Sequence, residues 1–147
     1  MRRALVLGLM AALAGCATQP KPHTALIAAP ATCIDIHFPI YFEEKSASVT
    51  PQAELIIADA QRRAVGCAVT RIDVLGLADA PGGPAANLEL SQRRAAAVSD
   101  ALGRHGFNQA LVQQAAAGDV GALAASGAAR PLRRRANVTI HLTSAGH

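Results

Sequence analysis

Aromatic residues are nearly missing from this chain: 3% of 147 residues, with one Tyr, three Phe and no Trp. So few flat rings leave no platform for stacking unpaired bases, which excludes the usual architecture for gripping single-stranded nucleic acid. Long apolar runs are missing too. The mean hydropathy is +0.24, but Ala supplies much of it, and no run reaches the ~18 to 20 residues of a membrane-spanning helix. The longest, Ala4 to Ala17, is shorter and N-terminal. Charged residues are sparse at 16%, with a net charge of +4, and Arg2 and Arg3 supply part of that excess. The basic balance is therefore no footprint of nucleic acid, and none is expected as a partner. With 51% hydrophobic residues the chain is far from disorder, and its length suits one domain.

Catalytic constellations are also absent. No Ser/His/Asp or Cys/His arrangement stands out, and Glu43-Glu44 are sequence neighbours that would face opposite ways in an extended segment. His23, His37, His105, His141 and His147 are scattered. Neither Cys33 nor Cys67 has a second Cys or His at metal-ligand spacing. The expectation is a protein that is not an enzyme, with no metal and no cofactor.

What is present begins at the N-terminus. Met1-Arg2-Arg3 is a short positive region, Ala4 to Ala14 is an apolar segment of signal-peptide length, and Leu13-Ala14-Gly15-Cys16 closes it. A Cys directly behind small residues resembles the lipobox of bacterial lipoproteins. That resemblance implies a signal peptide over residues 1–15 and acylation of Cys16, with palmitate among the chains. Two or three acyl chains make a stable anchor where one does not. Ala17 in place of an Asp implies, by the same resemblance, the outer membrane, with the domain facing the periplasm. Residues 16–32 carry Pro20, Pro22 and Pro30 among small and polar neighbours. They read as the lipidated Cys and a flexible tether that reaches at most ~50 Å. Export also places Cys33 and Cys67 in an oxidising compartment, where a pair of thiols tends to become a disulfide.

Hydrophobic periodicity then lays out the domain, residues 33–143, followed by a tail at 144–147. Ile34, Ile36, Phe38, Ile40 and Phe42 alternate as a strand over 33–42, and Pro39 marks it as an edge or bulged strand. Thr50-Pro51 predicts a helix start, Glu54 falls in its first turn, and the helix stops near Gly66. A second strand covers 70–75, with Gly76 in the turn after it. A Pro/Gly loop precedes a second helix over 85–104, which Gly103 and Gly106 end. Residues 111–117 form a weak strand, 118–131 an irregular Gly/Ala segment, and 138–142 a cleanly alternating last strand. The predicted fold class is α/β (α+β): a single mixed sheet with helices packed on one face, in the order β-α-β-α-β-β.

Three segments together carry a second resemblance. They are Ile72-Asp73-Val74-Leu75-Gly76-Leu77-Ala78-Asp79, then Asn87-Leu88-Glu89-Leu90-Ser91-Gln92-Arg93-Arg94-Ala95, then Val98 and Leu102. They resemble the C-terminal domain of outer-membrane protein A, the OmpA-like family to which peptidoglycan-associated lipoproteins belong. The early Ile40-Tyr41-Phe42-Glu43 and the Arg-rich approach to the last strand also fit. The resemblance implies non-covalent binding of peptidoglycan through the diaminopimelate of the stem peptide, tethering the outer membrane to the cell wall. Diaminopimelate presents an ammonium and a carboxylate, whose natural complements are a carboxylate and a guanidinium. Carried over by position, Asp79 would meet the ammonium, Arg94 would grip the carboxylate, and Asn87 would brace the loop or donate to the ligand. Ser91 reads as a helix-start contact.

The chain also departs from the family pattern. Ala78 stands where the family usually has Thr, and Lys45 where some members place Asn or Asp. Ala136 and Asn137 occupy two positions at which the family has Arg, and Arg133, Arg134 or Arg135 would replace them only by a register shift. With Arg130, these Arg residues read as a solvated edge that discourages strand pairing, the alternative being contact with anionic lipid headgroups or glycan-strand acids. The departures motivate an alternative: an envelope assembly or protein-interaction subunit that keeps the fold but has lost wall binding, with envelope proteins as partners.

Overall fold

The computed structural model describes residues 32–79, 81–108, 110–127 and 133–145. The expected signal segment 1–15, Cys16, the tether up to residue 31 and Arg130 lie outside the described residues. β1 (Ile36–Tyr41) leads to α1 (Pro51–Ala64), β2 (Cys67–Gly76) to α2 (Pro84–Leu102), and β3 (Leu111–Ala116) and β4 (Arg135–Ser144) follow. The four strands form one sheet in the order β1-β4-β2-β3. β4 pairs antiparallel with both neighbours, while β2 and β3 run parallel, with α2 in the crossover between them. This is the expected single mixed sheet.

Local chemistry sets the boundaries. The Thr50 side chain accepts a hydrogen bond from the Ala53 amide at 3.2 Å, and Pro51 opens α1 where its missing N–H costs nothing. Pro84 opens α2 in the same way, behind Gly83. α2 runs out in a kinked turn over Gly103–Phe107, where Gly106 takes φ +91°. Pro39 sits in the edge strand β1, opposite Asn137. β2 and β4 extend beyond their expected ends. A register irregularity falls between Val69 and Arg71. At the far end of β4, Ala136 points into the core while Asn137 faces out.

Alternation sorts the sheet into two faces. Ile36 and Ile40 of β1, Ile72 and Val74 of β2, and Ala136, Val138 and Ile140 of β4 are buried in one cluster with Ala53, Ile57 and Ala60 of α1 and Ala95, Val98 and Leu102 of α2. Both helices thus cover the same face. Burying an Ile or Leu side chain contributes roughly 1.5 to 3 kcal/mol, so this cluster dominates the fold. The other face carries His37, Asp73, Asn137, Thr139 and His141. The disulfide Cys33–Cys67 ties the chain just before β1 to the start of β2, with 5.7 Å between Cα atoms.

Candidate functional site

The loops at one end of the sheet and the start of α2 enclose a cleft of about 220 Å3. Glu44, Lys45, Asp79, Asn87, Leu90 and Arg93 line it, along with Pro81, Gly82 and Ala86. Asp79 is half-buried three residues past the end of β2. Asn87 is 4% exposed on the first turn of α2. Its Nδ2 donates to Asp119 Oδ2 at 3.1 Å, and Gly82 passes so close that a Cβ there would lie 2.9 Å from Asn87 Oδ1. Asn87 therefore braces two loops at once. Asp119, its partner from the Gly/Ala segment, was not singled out by the sequence.

Arg94 lies beneath this cleft rather than in its lining, and has no exposed surface. The guanidinium donates from Nε to Ser46 O at 2.9 Å, from Nη1 to Leu77 O at 2.8 Å and from Nη2 to Glu43 O at 3.3 Å. It stacks over the Phe42 ring, 5.1 Å from the centroid. Burial pushes its pKa down, the charge of Asp79 pulls it up, and Arg134 pushes it down again. The direct grip on a ligand carboxylate expected of Arg94 is not the state described. Its donors are turned onto the β1–α1 loop and the end of β2, so it joins the two walls of the cleft. A buried guanidinium needs such partners, because a charge without them is costly. The sequence could not separate Arg94 from Arg93: the two are adjacent, and only the phase of α2 turns one inward.

Asp79, Asn87 and Arg94 are thus gathered at one place, two of them on the cleft wall and one under its floor. Ser91 is structural: its hydroxyl donates to Leu88 O at 2.7 Å and accepts from the Gly118 amide at 3.0 Å. Ala78 is fully buried, and its amide donates to Gly118 O at 2.7 Å. The departures at Ala136 and Asn137 lie on β4, one in the core and one on the open face. Arg134 of the Arg-rich run is close enough to influence Arg94. Two larger grooves of about 420 and 430 Å3 run along the open sheet face. Neither brings an acid and a base together. Among the described residues no group of His, Cys, Asp and Glu is placed to hold a metal, and no helix is long and apolar enough to cross a membrane.

A family model described as OmpA family matches residues 41–137, the span that contains the cleft and every residue around it. Among solved structures, the peptidoglycan-associated lipoprotein from Burkholderia pseudomallei is 28% identical, with a TM-score of 0.56 over 70% of this chain and 89% of that one. The cell wall anchor of the T6SS from Pseudomonas aeruginosa is 21% identical, with a TM-score of 0.58 over 74% and 81%. The OmpA-like domain of FopA1 from Francisella tularensis is 17% identical, with a TM-score of 0.56 over 78% of each chain. A comparison with curated proteins finds no match.

Proposed function

This chain belongs to the OmpA family, and from that premise we propose that it binds peptidoglycan without covalent chemistry, taking the diaminopimelate of the stem peptide into the cleft at the start of α2. The observation that carries this reading is the mixed charge of that small cleft. Asp79 and Glu44 offer acceptors for an ammonium, and Lys45 and Arg93 offer donors for a carboxylate, with Arg94 adding positive potential from below. A zwitterionic side chain suits such a set, because each end finds an opposite charge and neither is desolvated alone. The likeness to a solved peptidoglycan-associated lipoprotein supports the same reading. In this reading the cleft works as a holder, with no group in it acting as nucleophile or base.

The leader completes the proposal. Acylation of Cys16 would fix the chain to the outer membrane, and the tether would let the domain reach the wall from the periplasmic side. Sedimentation with isolated sacculi tests wall binding: the full chain is expected to co-sediment and Asp79→Ala to stay in solution. Equal sedimentation of the two would remove the cleft from the account. Palmitate labelling that disappears in Cys16→Ser would test the anchor.

Two observations favour the second reading, a protein-interaction subunit without wall binding. Arg94 is sealed and donates to three backbone carbonyls, and Ala78 offers no hydroxyl. Retention on an envelope complex, with no sacculus binding at all, would favour it.

A further inference from the structure

Resting on the reading above, we propose that Lys45 receives the ligand's carboxylate, and that it makes the cleft selective for stem peptides whose diaminopimelate side-chain carboxylate is free rather than amidated. Among the described residues four cations lie in or near the cleft, and of those on its wall Lys45 is the least engaged. Arg94 spends its donors on three carbonyls and has no exposed surface. Arg93 lines the cleft but pairs with Glu89 one turn earlier on α2. Arg134 does not line the cleft. The Lys45 side chain is 86% exposed, and Glu44, its one ion-pair neighbour among the described residues, is loose at 3.8 Å. An ammonium so weakly held is free to turn toward an incoming anion.

The backbone points the same way. Ser46 N donates to Glu43 O at 3.1 Å, closing a four-residue turn with Lys45 in its third position. Lys45 has φ +57° there, the one positive value among the described non-glycine residues. Gly or Asn is the usual occupant of such a position, because a Cβ there crowds the following carbonyl oxygen, a cost that Gly lacks and that Asn offsets by local hydrogen bonding. Arg94 holds the strained turn in place: two of its three carbonyl partners, Glu43 and Ser46, are the two ends of the turn. Pinned at both ends, the turn presents Glu44 and Lys45 together at the cleft wall. A side chain kept where glycine would fit better, on a ligand-sized cleft, is one whose chemistry is used. Arg94 is then a positioning residue for Lys45. The contact made is ammonium to carboxylate; a carboxamide at the same place carries no charge and loses most of the attraction.

Titration of the full chain with a diaminopimelate stem peptide, as free acid and as side-chain carboxamide, tests this. Wild type is expected to bind the free acid roughly tenfold more tightly. Lys45→Gly suits the left-handed backbone, so it is expected to melt no lower than wild type while binding both peptides equally. Lys45→Arg is expected to restore the preference. A Lys45→Gly chain that keeps the preference, or a wild type that shows none, overturns the proposal and leaves the underlying reading intact. A wild type that binds neither peptide overturns both.

Discussion

Gly76 and Ser91 meet backbone to backbone: a Cβ built on Gly76 would lie 1.9 Å from the Ser91 carbonyl oxygen, with the Ala95 amide nitrogen 3.2 Å away. The end of β2 is therefore pressed against α2, and Asp79, three residues on, is held beside Asn87. No flexible side chain can move aside to admit a methyl group. Gly76→Ala is expected to exceed the ~1 to 3 kcal/mol of ordinary overpacking, lowering the melting temperature by about 10 °C or more. A variant that melts with the wild type would contradict the contact.

Arg94 makes a prediction of its own. Arg94→Ala would take a donor from each of the carbonyls of Glu43, Ser46 and Leu77, leaving Glu43 O only the Ser46 amide, and the cost is expected to be about 2 to 4 kcal/mol. Arg94→Lys keeps the charge but cannot span all three acceptors, so it is expected to be destabilised as well. Thermal melts read both. Unchanged stability in Arg94→Ala would mean that the guanidinium does not join the cleft walls.

The disulfide between Cys33 and Cys67 closes a loop with a sequence separation of 34. In the chain-entropy picture a loop of this size contributes about 3 to 4 kcal/mol, because the unfolded chain loses freedom. Reductant, or Cys33→Ser with Cys67→Ser, is expected to lower the melting temperature by about 10 °C. The same melt with and without reductant would show no difference if the bond contributed nothing.

On the open sheet face, His141 lies between two carboxylates. When protonated, its Nδ1 donates to Asp35 Oδ2 at 2.7 Å and its Nε2 to Asp73 Oδ2 at 2.9 Å. Asp73, then Asp35, raise its pKa above the usual 6.5. The Leu142 amide foremost lowers Asp35, and His141 foremost lowers Asp73. The His141 contribution is present in full below about pH 6.5 and fades as pH rises through the higher folded value. The two Asp contributions are present above about pH 4 and fade as pH falls. Stability from this cluster is therefore greatest between those limits. Melting temperature is expected to fall from pH 6 to pH 8 in the wild type and to fall less in His141→Gln. Parallel curves for the two would contradict the cluster's role.

Much of this was legible in the chain. Thr50-Pro51 announced α1 because a cap acts through neighbours in sequence. The alternation of Ile36, Ile40, Ile72 and Ile140 announced the strands, because one face of the sheet is apolar. β4 looked too short because Arg135-Ala136-Asn137 carries only a small apolar residue on its inner face. Gly76 read as a turn residue, whereas its reason is a helix backbone distant in sequence. The burial of Arg94 and the left-handed turn at Lys45 were hidden for the same cause: each depends on the other across 49 residues of chain. The family pattern pointed to Asp79, Asn87 and Arg94 as neighbours, but only the packed structure separates the two that face the cleft from the one beneath it.

The most direct measurement is calorimetric titration of the full chain and of Asp79→Asn with a diaminopimelate stem peptide, each protein first shown to melt at the same temperature. Saturable binding by the wild type, weakened at least about tenfold in Asp79→Asn, is the predicted result. Equal affinity in the two proteins, or no heat of binding in the wild type, would contradict the claim that this cleft holds the wall.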